Sequence, residues 1–164
     1  MRRSLDAKLA AAGLSVLSLL AFTGPARSDE AATAAIGRQL RDYEAALNAG
    51  DVGAVMKLYA TDAVFMPQNS LPAVGRDAIR SAYRRVFGTI KLDVRFEVDE
   101  VRALSKDWAY ARTRSNGTVK VLAPGGATMP EANQELFVLH RETDGVWRFA
   151  RYIFATTNPT PQQQ

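Results

Sequence analysis

The stretch YEAALNAGDVGAVMKLYATDAVFMPQ, residues 43–68, decides the fold because it holds a helix, a break and an immediate restart. Before the break, apolar residues recur at helical spacing and place Tyr43 on the buried side. Gly50 suits the left-handed position just after a helix end, and Asp51 suits the N-cap of the next helix. The stretch therefore predicts two consecutive helices whose apolar stripes face one core. The stripe of the first helix is Ile36, Leu40, Tyr43 and Leu47.

The rest of the chain predicts a third helix and then a sheet. Ile79, Tyr83 and Phe87 repeat the helical stripe, and the apolar period changes to two after Thr89. Asn116-Gly117 is a candidate β-bulge. The predicted strands cover residues 63–66, 92–98, 108–121, 135–141 and 146–155. This order predicts an α+β domain, a cone-shaped α+β barrel in which three N-terminal helices pack on a curved antiparallel sheet.

Residues 1–28 have the pattern of a cleaved secretion signal. A basic start precedes an apolar run over 9–22, and small residues at Ala26 and Ser28 suit a signal peptidase. The apolar run is shorter than the roughly 20 residues of a membrane span. We therefore predict a periplasmic or secreted protein that has no membrane association after cleavage and begins at Asp29.

The predicted domain covers residues 29–157, and a disordered tail is predicted at 158–164. The composition of the domain excludes several functions. The formal net charge is +4, but the leader holds most of that excess. Nucleic-acid binding needs a basic face that survives processing, so no nucleic-acid partner is predicted. With no cysteine, one histidine and no close carboxylate cluster, no disulfide, metal site or cofactor is predicted either.

The last hairpin predicts how the domain assembles. A two-residue turn at Asp144-Gly145 fixes the strand register, whereas a three-residue turn would exchange the partners. The pairs that the two-residue turn implies are Glu135–Phe154, Phe137–Tyr152 and Leu139–Ala150. The opposite face carries Leu136, Val138, His140, Phe149, Arg151 and Ile153. Both faces are largely apolar, although a sheet with one solvated face should alternate cleanly. We therefore predict a homodimer that covers the outer sheet face.

Three quoted segments carry a family resemblance: the ALNAGD corner, the YATDAVF strand and the GRDAIRSAY helix. With the following four-stranded sheet they resemble the nuclear transport factor 2-like superfamily. Within it, the chain is similar to SnoaL-like and SgcJ/EcaC-type proteins and to ketosteroid isomerase, over residues 36–154. The resemblance implies a cone-shaped pocket between helices and sheet, onto which this superfamily grafts many functions.

The resemblance to ketosteroid isomerase implies catalytic residues. Tyr43 matches the tyrosine that donates a hydrogen bond to the dienolate oxygen, and Tyr83 matches a second tyrosine that supports it. Glu135 falls where a protonated carboxyl sits. The aspartate that moves the proton in that family has no counterpart, because Met66 stands in its neighbourhood and a thioether is no base. Steroid isomerisation by the family mechanism is therefore not expected.

The resemblance also turns Trp108, Tyr110 and Arg112 inward along one strand. In that position Arg112 would pair with Glu135 and hold it ionised, whereas burial without a cation would raise the pKa of Glu135. Tyr43 and Glu135 form the implied catalytic pair. The implied ligand-binding residues are Tyr59, Phe65, Met66, Tyr83, Phe87, Tyr110, Arg112, Asn133, Phe137 and Phe154.

Two functions stay open at this point. In the first, the pocket binds a small, largely apolar or aromatic molecule, either without turnover or as an isomerase, cyclase or hydratase-type lyase that uses Glu135. In the second, the fold is an association module like that of the calcium/calmodulin-dependent kinase, and the pocket is not catalytic. The functional surface would then be Val138, Phe149 and Ile153. Tyr43 has an ordinary alternative role as a core residue, and Glu135 has one as half of an ion pair.

Overall fold

The computed structural model describes residues 25–159, with side chains from Glu30 onward. Its helices are α1 (Pro25–Ala49), α2 (Val52–Lys57) and α3 (Arg76–Thr89). Its strands are β1 (Tyr59–Met66), β2 (Ala73–Val74), β3 (Ile90–Ala103), β4 (Trp108–Val121), β5 (Thr128–Arg141) and β6 (Trp147–Thr156). Most of the predicted secretion signal and the end of the predicted tail lie outside the described residues, so both stay predictions. No helix within 25–159 is long and apolar enough to cross a membrane.

The break between α1 and α2 has the caps that the sequence predicts. Gly50 is left-handed with a φ of 65°, and the backbone N–H of Asp51 donates to the carbonyl of Ala46 at 3.0 Å. The Asp51 side chain accepts a hydrogen bond from the N–H of Ala54 at 2.9 Å. The predicted break is confirmed. However, α2 is shorter than the predicted stripe, because Tyr59 already belongs to β1.

The strands form one six-stranded sheet in the order β2-β1-β6-β5-β4-β3. The predicted antiparallel arrangement holds for β3 to β6, and α1 and α3 pack against this curved sheet. The prediction missed that β1 runs parallel to β6 and that the short β2 extends the sheet beyond β1. A parallel neighbour needs a long crossover, which α3 and the three strands after it supply. The result is an α+β cone with a mixed sheet.

The β5–β6 hairpin closes with a three-residue loop rather than the predicted two-residue turn. The N–H of Glu142 donates to the carbonyl of Val146 at 2.9 Å, and Gly145 is left-handed with a φ of 79°. A β-bulge at Ala150 then compensates for the extra loop residue. The predicted pairs confirmed beyond the bulge are Glu135–Phe154 and Phe137–Tyr152.

The same bulge makes one predicted pair and one predicted orientation wrong. Leu139 pairs with Phe149 and not with Ala150. The extra residue reverses the inward and outward alternation, so Phe149 is fully buried and packs against Tyr43 on the inner face. Phe149 is therefore no part of the outer surface. The apolar residues of this hairpin that remain on the outer face are Leu136, Val138 and Ile153.

Gly117 lies on β4 in close contact with the backbone of β3. A Cβ atom there would collide with the carbonyl oxygen of Asp93 and lie 2.8 Å from the Cα of Val94. Pairing through this site is regular, so the predicted bulge at Asn116-Gly117 is wrong. The register shift between β3 and β4 lies instead between Val98 and Glu100. Gly117 thus permits the close strand approach that any side chain would prevent.

Replacing Gly117 with alanine should destabilise the fold, because the new methyl group meets backbone atoms that cannot move aside. We expect the free energy of unfolding to fall by about 1–3 kcal/mol or more, as at other overpacked sites. Gly88→Ala is the matched control, since a Cβ there meets nothing within 4 Å in an exposed part of α3. Urea denaturation measures both. Equal stability of the two variants would contradict the close approach.

Candidate functional site

A cavity of about 200 Å³ lies between α1, α3 and the inner face of the sheet. Its walls are mostly apolar, with a few polar side chains that converge on it, which is the usual form of a small-molecule site. Within residues 25–159, no lysine, arginine or histidine lines it. The lining residues are Tyr43, Leu47, Phe65, Tyr83, Val86, Ile90, Leu92, Val94, Phe96, Ser115, Glu131, Asn133, Glu135, Tyr152 and Phe154.

Three buried tyrosine hydroxyls form a chain at one wall of this cavity. The hydroxyl of Tyr83 lies 2.6 Å from that of Tyr43 and 2.8 Å from that of Tyr59. Burial raises the pKa of each of the three above its ordinary value, and the neighbouring tyrosines add to the rise for Tyr43 and Tyr59. All three hydroxyls are therefore neutral hydrogen-bond donors at physiological pH.

The number of protons on the three hydroxyls determines whether they can donate a hydrogen bond to a ligand. Three hydroxyls carry three protons, and the two links between them use two. One proton is left to donate outside the chain. When Tyr59 donates to Tyr83 and Tyr83 donates to Tyr43, the remaining proton belongs to Tyr43, which lines the cavity. The chain can thus present a donor to a ligand oxygen.

Glu135 places a carboxyl group in the same cavity. It is 4% exposed, and the hydroxyl of Thr113 donates a hydrogen bond to it. Burial raises the pKa of Glu135 to about 7, against the lowering effect of hydrogen bonds from Thr113 and Ser115, and the nearby Glu131 raises it further. A carboxyl with a pKa near neutrality can both accept and donate a proton at physiological pH.

Glu131 is a second carboxyl on the cavity wall. Its Oε1 accepts a hydrogen bond from the side-chain amide of Asn133, while its Oε2 is buried without a hydrogen-bond partner among the described residues. Burial raises its pKa, and the Asn133 hydrogen bond lowers it. No group of three or more His, Cys, Asp or Glu side chains in the described part of the chain could hold a metal ion.

The structure brings half of the predicted site residues together. The predicted residues that line the cavity are Tyr43, Phe65, Tyr83, Asn133, Glu135 and Phe154. Tyr59 and Phe137 are fully buried behind the wall, where Tyr59 holds Tyr83 in place. Phe87 packs on the Tyr83 ring, with 5.7 Å between ring centroids. Met66 pairs with Ile153 near the end of β1 and does not line the cavity.

The face of β4 that was predicted to point inward points outward. The outward residues are Trp108, Tyr110 and Arg112, and the inward residues are Ala109, Ala111, Thr113 and Ser115. Strand alternation gives the inner face to the small side chains that fit beneath the helices. Arg112 pairs with Asp99 at 3.1 Å, and the Tyr110 hydroxyl donates to Glu100 at 2.8 Å. Arg112 therefore does not form the predicted ion pair with Glu135.

Sequence reasoning missed several lining residues, and Glu131 matters most among them. Glu131, Asn133 and Glu135 alternate on one face of β5, so extending the predicted strand backwards would have revealed the set. From sequence, Pro130 disfavours that extension, because proline is rare inside strands. It is tolerated because β6 ends opposite Asn133, which leaves this part of β5 paired with β4 alone.

A family model for the SnoaL-like domain matches residues 40–157. The chain belongs to the SnoaL-like family. A solved structure of a ketosteroid isomerase-like protein from Erwinia carotovora atroseptica SCRI1043 is 36% identical with a TM-score of 0.74. The match covers 77% of this SnoaL-like chain and 96% of the Erwinia chain.

Two more distant structures share the fold of this SnoaL-like domain. A candidate scytalone dehydratase from Novosphingobium aromaticivorans DSM 12444 is 19% identical, has a TM-score of 0.71 and covers 85% of this chain and 93% of its own. A type 2 hexachlorocyclohexane dehydrochlorinase (LinA) is 17% identical, has a TM-score of 0.69 and covers 82% of this chain and 90% of its own. The predicted resemblance to the nuclear transport factor 2-like fold is confirmed.

The pKa of Glu135 predicts how the stability of this SnoaL-like domain depends on pH. The folded state keeps the proton up to about pH 7, whereas the unfolded chain releases it near the ordinary value of 4.5. Between these values the folded state binds more protons, so the free energy of unfolding falls as the pH rises. Between about pH 4 and about pH 8, we expect wild type to lose about 3 kcal/mol relative to Glu135→Gln.

Urea denaturation across this pH range measures the difference between the two proteins. Glu30→Gln is the control, because Glu30 is exposed on α1 and does not line the cavity. A Glu135→Gln variant with the same pH dependence as wild type would show that Glu135 ionises normally in the fold.

Proposed function

We propose that the cavity binds a small, largely apolar molecule with one ring and holds one oxygen of that molecule through the Tyr43 hydroxyl. The observation that carries this proposal is the set of three hydrogen-bonded tyrosines, which leaves one proton to donate into a mostly apolar cavity. A neutral donor in a poorly hydrated site favours a carbonyl or phenolic oxygen, whose hydrogen bond meets little competition from water. No cofactor enters this proposal.

Tyr43→Phe tests the proposed donor, with 4-ethylphenol as the probe. Losing one hydrogen bond should weaken binding by about threefold to tenfold, from about 0.5–1.5 kcal/mol per net hydrogen bond. Isothermal titration calorimetry measures the affinity. Tyr110→Phe is the matched control because that hydroxyl lies on the outer face and should not affect binding. Equal affinity of Tyr43→Phe and wild type would refute the donor role.

We propose further that Glu135 moves a proton on the bound molecule, as in an isomerase or lyase. Its carboxylate would take a proton from the carbon next to a ligand carbonyl, leaving the electron pair on the carbonyl oxygen beside Tyr43. The resulting carboxylic acid would return the proton to the ligand. The pKa near 7 supports this role, since proton transfer is efficient when the pKa lies near the operating pH. The distant relatives named as a dehydratase and a dehydrochlorinase support the fold alone.

Hydrogen–deuterium exchange of 1-indanone, followed by NMR in deuterated buffer, tests the proton transfer. We expect the protein to accelerate exchange next to the carbonyl, and Glu135→Gln to slow it by about 100-fold, the lower range for general bases. Glu30→Gln, which changes an exposed carboxyl outside the cavity, should exchange 1-indanone at the wild-type rate. Undiminished exchange in Glu135→Gln would remove Glu135 from the chemistry.

We also propose that the outer sheet face joins two copies of this chain. Leu136 and Ile153 are 40% and 44% exposed there, and Trp108 lies on the same face. Beside them, Arg114 pairs with Glu97 and Asp99 across β3 and β4. Apolar residues rimmed by charges of both signs suit a face that meets its own copy. This proposal keeps the predicted dimer but no longer includes Phe149.

Leu136→Arg should separate the proposed dimer, because it places a charge at the centre of the buried apolar contact. Analytical ultracentrifugation should report dimers for wild type and monomers for this variant at the same concentration. Leu71→Arg is the control, since Leu71 is 89% exposed in a loop away from this face. A monomeric wild type, or a dimeric Leu136→Arg, would contradict the proposed interface.

A further inference from the structure

The cavity has one acidic end. Glu131, Asn133 and Glu135 lie two residues apart on β5, and all three side chains line the cavity. The two carboxyls are close enough for the charge of Glu131 to raise the pKa of Glu135. Among the described residues no cationic side chain lines the cavity, and Arg112 is engaged on the outer face. The described residues therefore supply no counter-charge to the two carboxyls.

Glu131 has an unmet need for a hydrogen-bond donor. Asn133 donates to its Oε1, but its Oε2 is buried and accepts no hydrogen bond from the described residues. Leaving a buried carboxylate oxygen unpaired is costly, so such an atom in a cavity wall indicates a group that arrives with the ligand. In the proposed function the Tyr43 hydroxyl donates to a ligand oxygen, so the free Glu131 oxygen can accept a hydrogen bond from a donor on the same molecule.

We infer that the ligand carries an ionised amine that binds between Glu131 and Glu135. This inference rests on the proposed function and adds a substrate class to it: small aromatic or alicyclic amines with one further oxygen. An ammonium group has three donors and a positive charge, so it satisfies the free Glu131 oxygen and offsets both carboxylates. A neutral hydroxyl supplies one donor and no charge. A carboxylate in the ligand would be repelled.

Three matched phenols that differ in the charge of one end group test this inference. They are tyramine (ammonium), tyrosol (hydroxyl) and 4-hydroxyphenylacetate (carboxylate), with 4-ethylphenol as the apolar reference. Isothermal titration calorimetry at about pH 8, above the pKa of Glu135, gives each affinity. We expect tyramine to bind at least about tenfold more tightly than tyrosol, from a charge-assisted hydrogen bond. 4-Hydroxyphenylacetate should bind most weakly.

Variants assign the preference to the carboxyls. Glu131→Gln should reduce the preference for tyramine over tyrosol, while Glu30→Gln, at an exposed position on α1, should keep the wild-type preference. Glu131→Asp, which retains the charge on a shorter side chain, should keep part of the preference. This second variant serves if Glu131→Gln fails to fold, as monitored by thermal unfolding.

The outcomes separate this inference from the proposed function. If 4-ethylphenol binds but tyramine binds no better than tyrosol, the amine is wrong and the pocket stands. If tyramine keeps its advantage in both Glu131→Gln and Glu135→Gln, the ammonium binds elsewhere and the inference fails. If none of the four compounds binds, the proposed function fails together with it.

Discussion

The hydrogen bonds that join Tyr43, Tyr83 and Tyr59 are the constraint on which the rest of the structure depends. A hydroxyl buried among apolar side chains must find a partner, because an unpaired one costs about 1–3 kcal/mol. Tyr83 serves both of the others. Since the three residues come from α1, α3 and β1, the two hydrogen bonds fix both long helices against the sheet. The break at Gly50 turns the chain back soon after Tyr43, so that β1 can bring Tyr59 to the same point.

The cavity beside the three tyrosines is not built for maximum stability. Around Tyr43 the aromatic rings of Phe137, Phe149 and Tyr152 pack closely, with centroid distances of 5.3 to 5.8 Å from its ring. The neighbouring space stays open, and in the described part of the chain it is lined by two carboxyls and by no cationic side chain. A core selected for stability alone would fill that space or pair those charges, so departures of this kind mark functional sites.

The sequence predicted the elements well where local chemistry specifies them. The caps at Gly50 and Asp51 gave the helix break, and the bounds of β4 were predicted to the residue. Tyr43 and Glu135 were found through the family resemblance and both line the cavity.

The errors on Phe149 and Arg112 were errors of strand parity, which depends on contacts distant in sequence. The bulge at Ala150 has no turn-like signature, yet it moved Phe149 from the outer face to the core. For Arg112, the relevant signal was that small and large side chains alternate along β4, with the small ones on the inner face. Only the packed helices show which face of the sheet is the inner one. Glu131 was missed because a proline is atypical of a strand interior, so the predicted strand began after Pro130 and too late. The unpaired oxygen of Glu131 is seen only in the folded structure.

A crystal structure of the protein with 4-ethylphenol would show whether Tyr43 donates to a bound oxygen. We expect the ring inside the cavity and the phenolic oxygen within hydrogen-bond distance of the Tyr43 hydroxyl, with the hydrogen bonds among the three tyrosines unchanged. A ring bound elsewhere on the surface, or an oxygen that faces away from Tyr43 inside the cavity, would contradict it.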